Sequence, residues 1–379
     1  MSKFFGENQF KFGVFGLNCA GGMTLSSAPE RWRAQWDDVA AVAKLADERG
    51  VEFLLPIAKW NGLGGQADMW GRSYETFTQA AALGALTHRI GLFVTAHVSL
   101  LSPAFVAKAI TTVDHVTHGR AGLNIVCGWN PDEFGMHGVT LNPATRYAQG
   151  LEWYRIYERI LKGEKFDWQG EFYKLTGLVT DPLPIQKPIP PVMSAGQSGD
   201  GQAFAAQAAD ILFTSMYSVE QVHDTISRVR GLSAKFNRQP DVYVETQIVC
   251  RPTRKEAEEW IHYYAVENAD HDALDYFRRQ KASTLSKSTT EGQSVADKAL
   301  AASVKPAGRK YPGIFPTMYP LVGTPDDLVE EFRKLAAVGV AGSALVFLNY
   351  MQEMPYFVEE VLPRMEKAGL RTPTIVSAN

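Results

Sequence analysis

Cysteine is scarce: three residues in 379, Cys19, Cys127 and Cys250, odd in number and far apart. That excludes a disulfide framework and a CxxC metal or redox site. No apolar run approaches the roughly 18 residues of a membrane span. The opening MSKFFGENQFKFG lacks the charged-then-apolar layout and small-residue cleavage site of a signal peptide, so the expected location is the reducing cytoplasm. Neither sign of charge prevails. Against 38 Lys and Arg stand 41 Asp and Glu, a net charge of −3, which leaves no nucleic-acid footprint and no polybasic membrane surface. Internal repeats and low-complexity tracts are missing too. What is plentiful is core-forming: 45% hydrophobic against 21% charged residues rules out global disorder. The chain also runs about 130 residues beyond the ~250 of a minimal α/β barrel, and that surplus needs a place.

Apolar strands and amphipathic helices alternate. Strands are predicted at 11–17, 52–57, 89–96, 121–127, 191–195, 210–216, 242–249 and 342–348. Helices are predicted at 29–50, 76–87, 103–116, 143–161, 198–208, 219–236, 254–280, 325–338 and 353–368. In the first of these Trp32, Trp36, Val39, Val42 and Leu45 fall on one stripe. Ser102 followed by Pro103 has the form of an N-cap with proline at the first helical position. Eight strands, each followed by a helix, make the expected class α/β and the architecture a (β/α)8 TIM barrel. An open doubly wound sheet is the alternative, but no GxGxxG follows the first strand. The surplus falls after strands four and seven, as insertions at about 130–175 and 281–318 on one domain spanning 1–379. The first contains an alternating hairpin turning at Gln169-Gly170. The second is rich in Ser, Thr, Lys, Ala and Gly and is expected to act as a lid.

In such a barrel chemistry belongs to the loops after the strands' C-terminal ends. After strand two come Ala58, Lys59, Trp60 and a run of glycines, Gly62, Gly64 and Gly65. A tight turn explains such a run as well as close approach to a ligand does. After strand three come Thr95 and His97. A satisfied strand hydroxyl and a packed imidazole are the plainer explanations of that pair. Asn124 interrupts the apolar GLNIV, and a buried amide must find partners or cost about 1–3 kcal/mol. Cys127 and Trp129 follow, the cysteine as a small buried apolar group. Arg146 and Tyr147 begin a long helix, where the arginine is either a solvated face residue or the planar fork a phosphate needs. After strand five, Ser194-Ala195-Gly196-Gln197-Ser198 opens another helix, and Ser198 as cap is compatible with a phosphate on the exposed amides. Metal chemistry has no support: the eight histidines form no HxH or HExxH. No GxSxG elbow and no paired strand-end carboxylates occur. A phosphate-suited rim with few acid–base groups fits a cofactor that carries the hard chemistry.

At these residues the chain resembles the bacterial luciferase-like flavin monooxygenases, and within them the pyrimidine (uracil) monooxygenase branch. The resemblance runs over 11–214 and resumes over 321–362. It is carried by AKWNGLGGQADMW (58–70), GRAGLNIVCGWNPDEF (119–134), the pair Arg146-Tyr147 and SAGQS (194–198). It implies reduced FMN supplied by a separate NAD(P)H:flavin reductase, O2 as co-substrate, and a homodimer or homotetramer. Residue by residue, Ala58 and Lys59 match the pair contacting the isoalloxazine. Asn124, Glu133 and Gly196 match flavin-site positions, Arg146 and Tyr147 the phosphate-arm pair, and Ser198 the phosphate serine. Thr95 with Asn124 matches the pair holding O2 beside the flavin. The implied activity is oxygenation, with possible ring opening, of a small N-heterocycle or amide through a flavin peroxide. Trp60 replaces an aliphatic residue of the pyrimidine enzymes and Cys127 a threonine. Trp60, His97 and Trp129 are accordingly expected around the substrate. An alkanesulfonate or sulfone monooxygenase of the same superfamily, and a non-oxygenating barrel for flavin or F420, are the competing expectations.

Overall fold

A computed structural model describes residues 5–285 and 310–372. Its strands are β1 (Lys11–Phe15), β2 (Phe53–Leu55), β3 (Gly91–His97), β4 (Ala121–Val126), β5 (Phe166–Gln169), β6 (Lys174–Leu178), β7 (Val192–Ser194), β8 (Ile211–Thr214), β9 (Asp241–Cys250), β10 (Tyr319–Gly323) and β11 (Gly342–Val346). Eight of them pair in parallel in the order β1-β2-β3-β4-β7-β8-β9-β11, and β11 returns to β1, which closes the expected (β/α)8 barrel. Ser102 caps the helix Pro103–Val116 by accepting from the Phe105 amide at 3.1 Å, as its sequence position predicts.

The lower half of the barrel is a plug of rings. Phe53 lies edge-on to Phe93 at 5.7 Å and stacks on Tyr243 at 5.5 Å. These rings take the space that side chains on neighbouring strands would need. A Cβ on Gly13 would stand 2.1 Å from the Phe53 ring, and one on Gly122 2.6 Å from Phe93. Strand side chains repeat every second residue, so Phe15, Thr95, Asn124 and Glu245 form the next layer up. That layer is the floor of the site.

Four elements depart from the expectation. The helix expected from residue 29 begins only at Trp36. Trp32 is used differently: its Nε1 donates to the Leu17 carbonyl at 2.9 Å, and its own carbonyl accepts from Gly21 at 2.8 Å. The helix expected over 254–280 is split into Arg254–His262, a π-turn Tyr263–Glu267 and His271–Leu285. Chain segments from either side capture its carbonyls. Ser26 Oγ donates to Tyr264 at 2.7 Å, and the Gly313 amide to Ala265 at 2.8 Å. A short helix, Pro131–Met136, stands where a loop was expected. Finally, β10 adds to β9 at Thr246–Cys250, on the edge that β8 leaves at Val244.

The segment 130–175 contains the hairpin predicted to turn at Gln169-Gly170. The hairpin pairs Trp168 with Leu175 and docks on the helix Arg146–Leu161 through Glu152. That carboxylate accepts from Trp168 Nε1 at 2.9 Å and from the amides of Glu171, Phe172 and Tyr173 at 2.9–3.1 Å. Burial raises its pKa, but the donors outweigh burial and hold it below the usual carboxylate range. Of the second insertion, 286–309 lie outside the described residues.

Candidate active site

A cleft open at its mouth sits on the barrel floor among the strands' C-terminal ends. It brings together Ala58 and Lys59 from the loop after β2, Thr95 and His97 from β3, Asn124 from β4 and Trp129 from the loop after β4. Arg146, Tyr147, Gly196 and Ser198 line its other end. Glu133 stands behind Lys59 rather than on the cleft wall. Trp60 is 43% exposed, meets His137 edge-on at 4.7 Å, and lines an adjoining cavity that shares Ala58, Lys59, Thr95 and His97 with the cleft.

The floor's polarity is set by backbone carbonyls. Thr95 Oγ1 donates to the Pro56 carbonyl at 2.6 Å, which uses its only proton, so toward Asn124 it can only accept. Asn124 Nδ2 is therefore the atom that faces it, at 3.1 Å. Oδ1 of Asn124 is left buried with no protein partner, and the second Nδ2 proton remains available. His97 follows the same logic. Its Nε2 lies 3.2 Å from the Ala58 carbonyl and must carry the proton, while burial lowers its pKa and keeps the ring neutral. Nδ1 is then a bare acceptor, also without a protein partner.

Lys59 and Glu133 form a buried ion pair, Nζ to Oε1 at 2.7 Å. The ammonium sits between two indoles, 4.8 Å from the Trp70 centroid and 5.0 Å from Trp129. Burial lowers the lysine's pKa and Glu133 opposes that shift. Glu133 Oε1 also accepts from the Trp60 amide at 2.9 Å, which pins the loop after β2. The glycine run in that loop serves a turn. Gly65 has a φ of +73°, and a Cβ there would stand 2.2 Å from an Asp270 oxygen. Gly62, Gly64 and Gly65 do not line the cleft.

At the far end donors converge. Arg146 Nη1 donates to the Gly128 carbonyl at 2.9 Å, its guanidinium lies 5.0 Å from the Tyr147 ring centre, and its buried Nε has no protein partner. Tyr147 Oη lies 3.4 Å from Ser198 Oγ. Ser198 caps the helix Gly199–Ala208, accepting from the Gly201 amide at 3.2 Å. An unpartnered guanidinium nitrogen beside a tyrosine, a serine and a helix start is the donor set of a phosphate site, so these residues fit the phosphate arm of FMN. Cys127 is buried, and burial pushes its thiol up to about 12, so it stays a small neutral group.

Sequence reasoning missed the opposite wall. Glu245 on β9, 3% exposed, faces the cleft and accepts from Ser215 Oγ at 3.0 Å. Its signal was present in VYVETQIV, where Tyr243, Glu245 and Gln247 alternate on one face. Phe277 and Phe315, with ring centres 4.5 Å apart, line the cleft beside Trp70 and Trp129, and no local pattern marked them. Among the described residues no three His, Cys, Asp or Glu side chains are grouped to hold a metal ion, and no helix is long and apolar enough to cross a membrane.

The model of the luciferase-like monooxygenase family matches residues 10–342. Pyrimidine monooxygenase RutA of Enterobacter sp. (strain 638) is 29% identical over 365 residues, covering 94% of this chain and 96% of that protein. RutA of Methylobacterium radiotolerans is 30% identical over 353 residues, covering 91% and 88%. The structure of riboflavin lyase RcaE with modified FMN and riboflavin has a TM-score of 0.85 at 17% identity, covering 96% of this chain and 92% of that one, a likeness of fold.

Proposed function

This chain belongs to the luciferase-like, flavin-dependent monooxygenases, and from that premise we propose that it oxygenates a small N-heterocycle or amide with reduced FMN and O2. The observation that carries the proposal is one cleft joining a phosphate-suited end to a polar floor. Arg146, Tyr147 and Ser198 stand at the first and Thr95 with Asn124 at the second. Similarity to proteins named pyrimidine monooxygenase favours this substrate class over sulfonates.

In this proposal Arg146, Tyr147, Ser198 and the amides at the start of Gly199–Ala208 hold the FMN phosphate, while Ala58 and Lys59 lie along the ring. Bound reduced FMN supplies the two electrons with which one oxygen atom enters the substrate and the other leaves as water. The protein's part is positional and electrostatic. The second Nδ2 proton of Asn124 is available to developing negative charge on oxygen, as a donor held in place before the reaction. Thr95 holds that amide in place through the Pro56 carbonyl. Trp70, Trp129, Phe277 and Phe315 make the wall beside the mouth apolar. A separate NAD(P)H:flavin reductase delivers the cofactor, the chain acts as one cytoplasmic domain, and it assembles as a homodimer or homotetramer.

The test supplies reductase, NADH, FMN and isotopically labelled O2 with a panel of N-heterocycles, amides and sulfones. A product carrying one labelled oxygen from the first two classes is the expected result. Oxygen uptake without substrate-dependent product refutes the monooxygenase assignment, and labelled product from sulfones alone refutes the substrate class.

A further inference from the structure

We infer that the cavity adjoining the cleft is a binding subsite for an apolar substituent of the substrate, walled by Trp60, Leu100 and Leu101. This rests on the proposed function and deepens it: the substrate carries an aryl or alkyl group beside its reacting heterocycle or amide.

The cavity lies between the loop after β2, the start of the helix Thr76–Leu86 and the turn after β3. It shares Ala58, Lys59, Thr95 and His97 with the cleft, so it begins where the floor begins. None of Arg146, Tyr147, Gly196 and Ser198 lines it. The phosphate-suited end follows β4 and β7, whereas the cavity follows β2 and β3, and the paired Thr95 and Asn124 stand between them. A substrate whose reacting group rests beside that pair has the cavity open to it, away from the groups that suit the FMN phosphate.

What the cavity offers a ligand is apolar, because most of its polar side chains are engaged within the protein. Ser73 Oγ donates to the Lys59 carbonyl at 3.0 Å and Thr76 Oγ1 to the Thr95 carbonyl at 2.9 Å. The Glu75 carboxylate caps its helix, accepting from the Phe77 and Thr78 amides at 2.9 and 2.8 Å. Lys59 is paired with Glu133, and Arg72 donates to Gln35. The remaining surface comes from the Trp60 indole, the Tyr74 ring, Leu100 and Leu101, none of them buried. Covering such side chains removes them from water, which is the main drive for filling a pocket.

The wall is also fixed in advance. The Leu100 and Leu101 amides both donate to the His97 carbonyl at 3.1 Å, and the Leu101 carbonyl accepts from Trp153 Nε1 at 2.8 Å. The Trp60 amide is held by Glu133, and its ring stands edge-on to His137. Little ordering is left for a ligand to bring about, so the apolar contact is expressed as affinity. Trp60 and Leu100 are thus specificity-determining residues with no part in oxygen activation.

The experiment measures binding by calorimetry to the protein loaded with oxidised FMN. The probes are propionamide beside 3-phenylpropionamide, and uracil beside 5-benzyluracil and 6-benzyluracil. At least one arylated probe is expected to bind about tenfold or more tightly than its bare parent, the lower end of what burying a phenyl ring contributes. Leu100→Trp puts an indole into the cavity. It is expected to bring that arylated probe to within about threefold of its parent. Affinities for the parent and for FMN stay within about twofold, since neither uses the cavity. Trp60→Ala removes an exposed ring and should weaken the same probe about fivefold or more, again sparing parent and FMN. It keeps the test decisive if Leu100→Trp does not fold. Equal binding of arylated and bare probes by the unaltered protein overturns the inference, as does failure of every arylated probe to bind. An arylated advantage unchanged in either variant overturns it, because the ring would then sit in the main cleft. So does an equal loss of parent or FMN, which would make these residues part of the cleft itself. Labelled-oxygen product, read separately, keeps the two claims apart. An arylated advantage abolished by Leu100→Trp, with no probe oxygenated, refutes the proposed function alone. Oxygenation of the bare parents with no arylated advantage refutes the subsite alone.

Discussion

The two ends of the cleft are built from different materials. The phosphate-suited end is assembled from a loop carbonyl at Gly128, the first residues of the helix Arg146–Leu161 and the cap of Gly199–Ala208. The floor is made of barrel strands, and its hydrogen-bond directions are handed out by the Pro56 and Ala58 carbonyls. Charge acts at a distance and tolerates placement on helix starts. The direction of a single proton does not, so it is fixed by strands that rest on a ring plug. Beside the floor, after β2, lies the Lys59–Glu133 pair, which brings an ammonium into the wall without adding net charge.

Breaking that pair should give the largest effect. Glu133→Gln leaves a buried ammonium without its counter-charge, and losing one partner of a buried pair costs about 3–5 kcal/mol. The expected result is a fall of that order in urea unfolding free energy; a change under about 1 kcal/mol would mean the two indoles alone hold Lys59. Next comes the floor. Asn124→Ala should lower product formation by about 10²–10³-fold, the usual loss for one preorganised donor, while FMN affinity stays within about threefold. Loss of FMN instead would make Asn124 a cofactor-positioning residue and erase the distinction between the ends.

The charged end sharpens the comparison from the other side. Arg146→Ala combined with Ser198→Ala removes two contacts to an anion, each about 1.5 kcal/mol, so FMN binding should weaken about 100-fold. Riboflavin, lacking the phosphate, should be held within about threefold when titrated by flavin fluorescence. Equal weakening of both ligands would show that this end grips the ring and not the phosphate.

How much of this could be seen in the sequence follows the same division. The strands were legible because an inward-outward period of two survives in short segments, and Asn124 was legible because an amide interrupts GLNIV. Arg146, Tyr147 and Ser198 were marked by their places at helix starts. What stayed hidden was decided by partners far away in the chain. The start of the first helix moved to Trp36 because Leu17 and Gly21 take the polar groups of Trp32. The π-turn at Tyr263–Glu267 exists because Ser26 and Gly313 reach its carbonyls. Glu245 was legible in principle, since the period that places Tyr243 inward places it inward too. Its neighbours in VYVETQIV include Thr246 and Gln247, so no single polar residue interrupts an apolar run there as Asn124 interrupts GLNIV.

The smallest predicted effect probes the least visible part of the floor, the tautomer of His97. Burial lowers its pKa, so the folded protein holds the ring neutral while the unfolded chain titrates near 6.5. As pH falls through 6.5 the unfolded state takes up a proton that the native state refuses. Stability is thus fully present above that value and declines below it, by at most about 1.4 kcal/mol per pH unit. His97→Gln places an amide N–H where Nε2–H was and has no proton to gain. Its thermal unfolding profile between pH 6.5 and 5 should be flatter than that of the unaltered protein by up to that slope. Identical slopes would mean that His97 becomes protonated in the folded state. Nδ1 would then be a donor, and the floor would no longer differ in polarity from the phosphate-suited end.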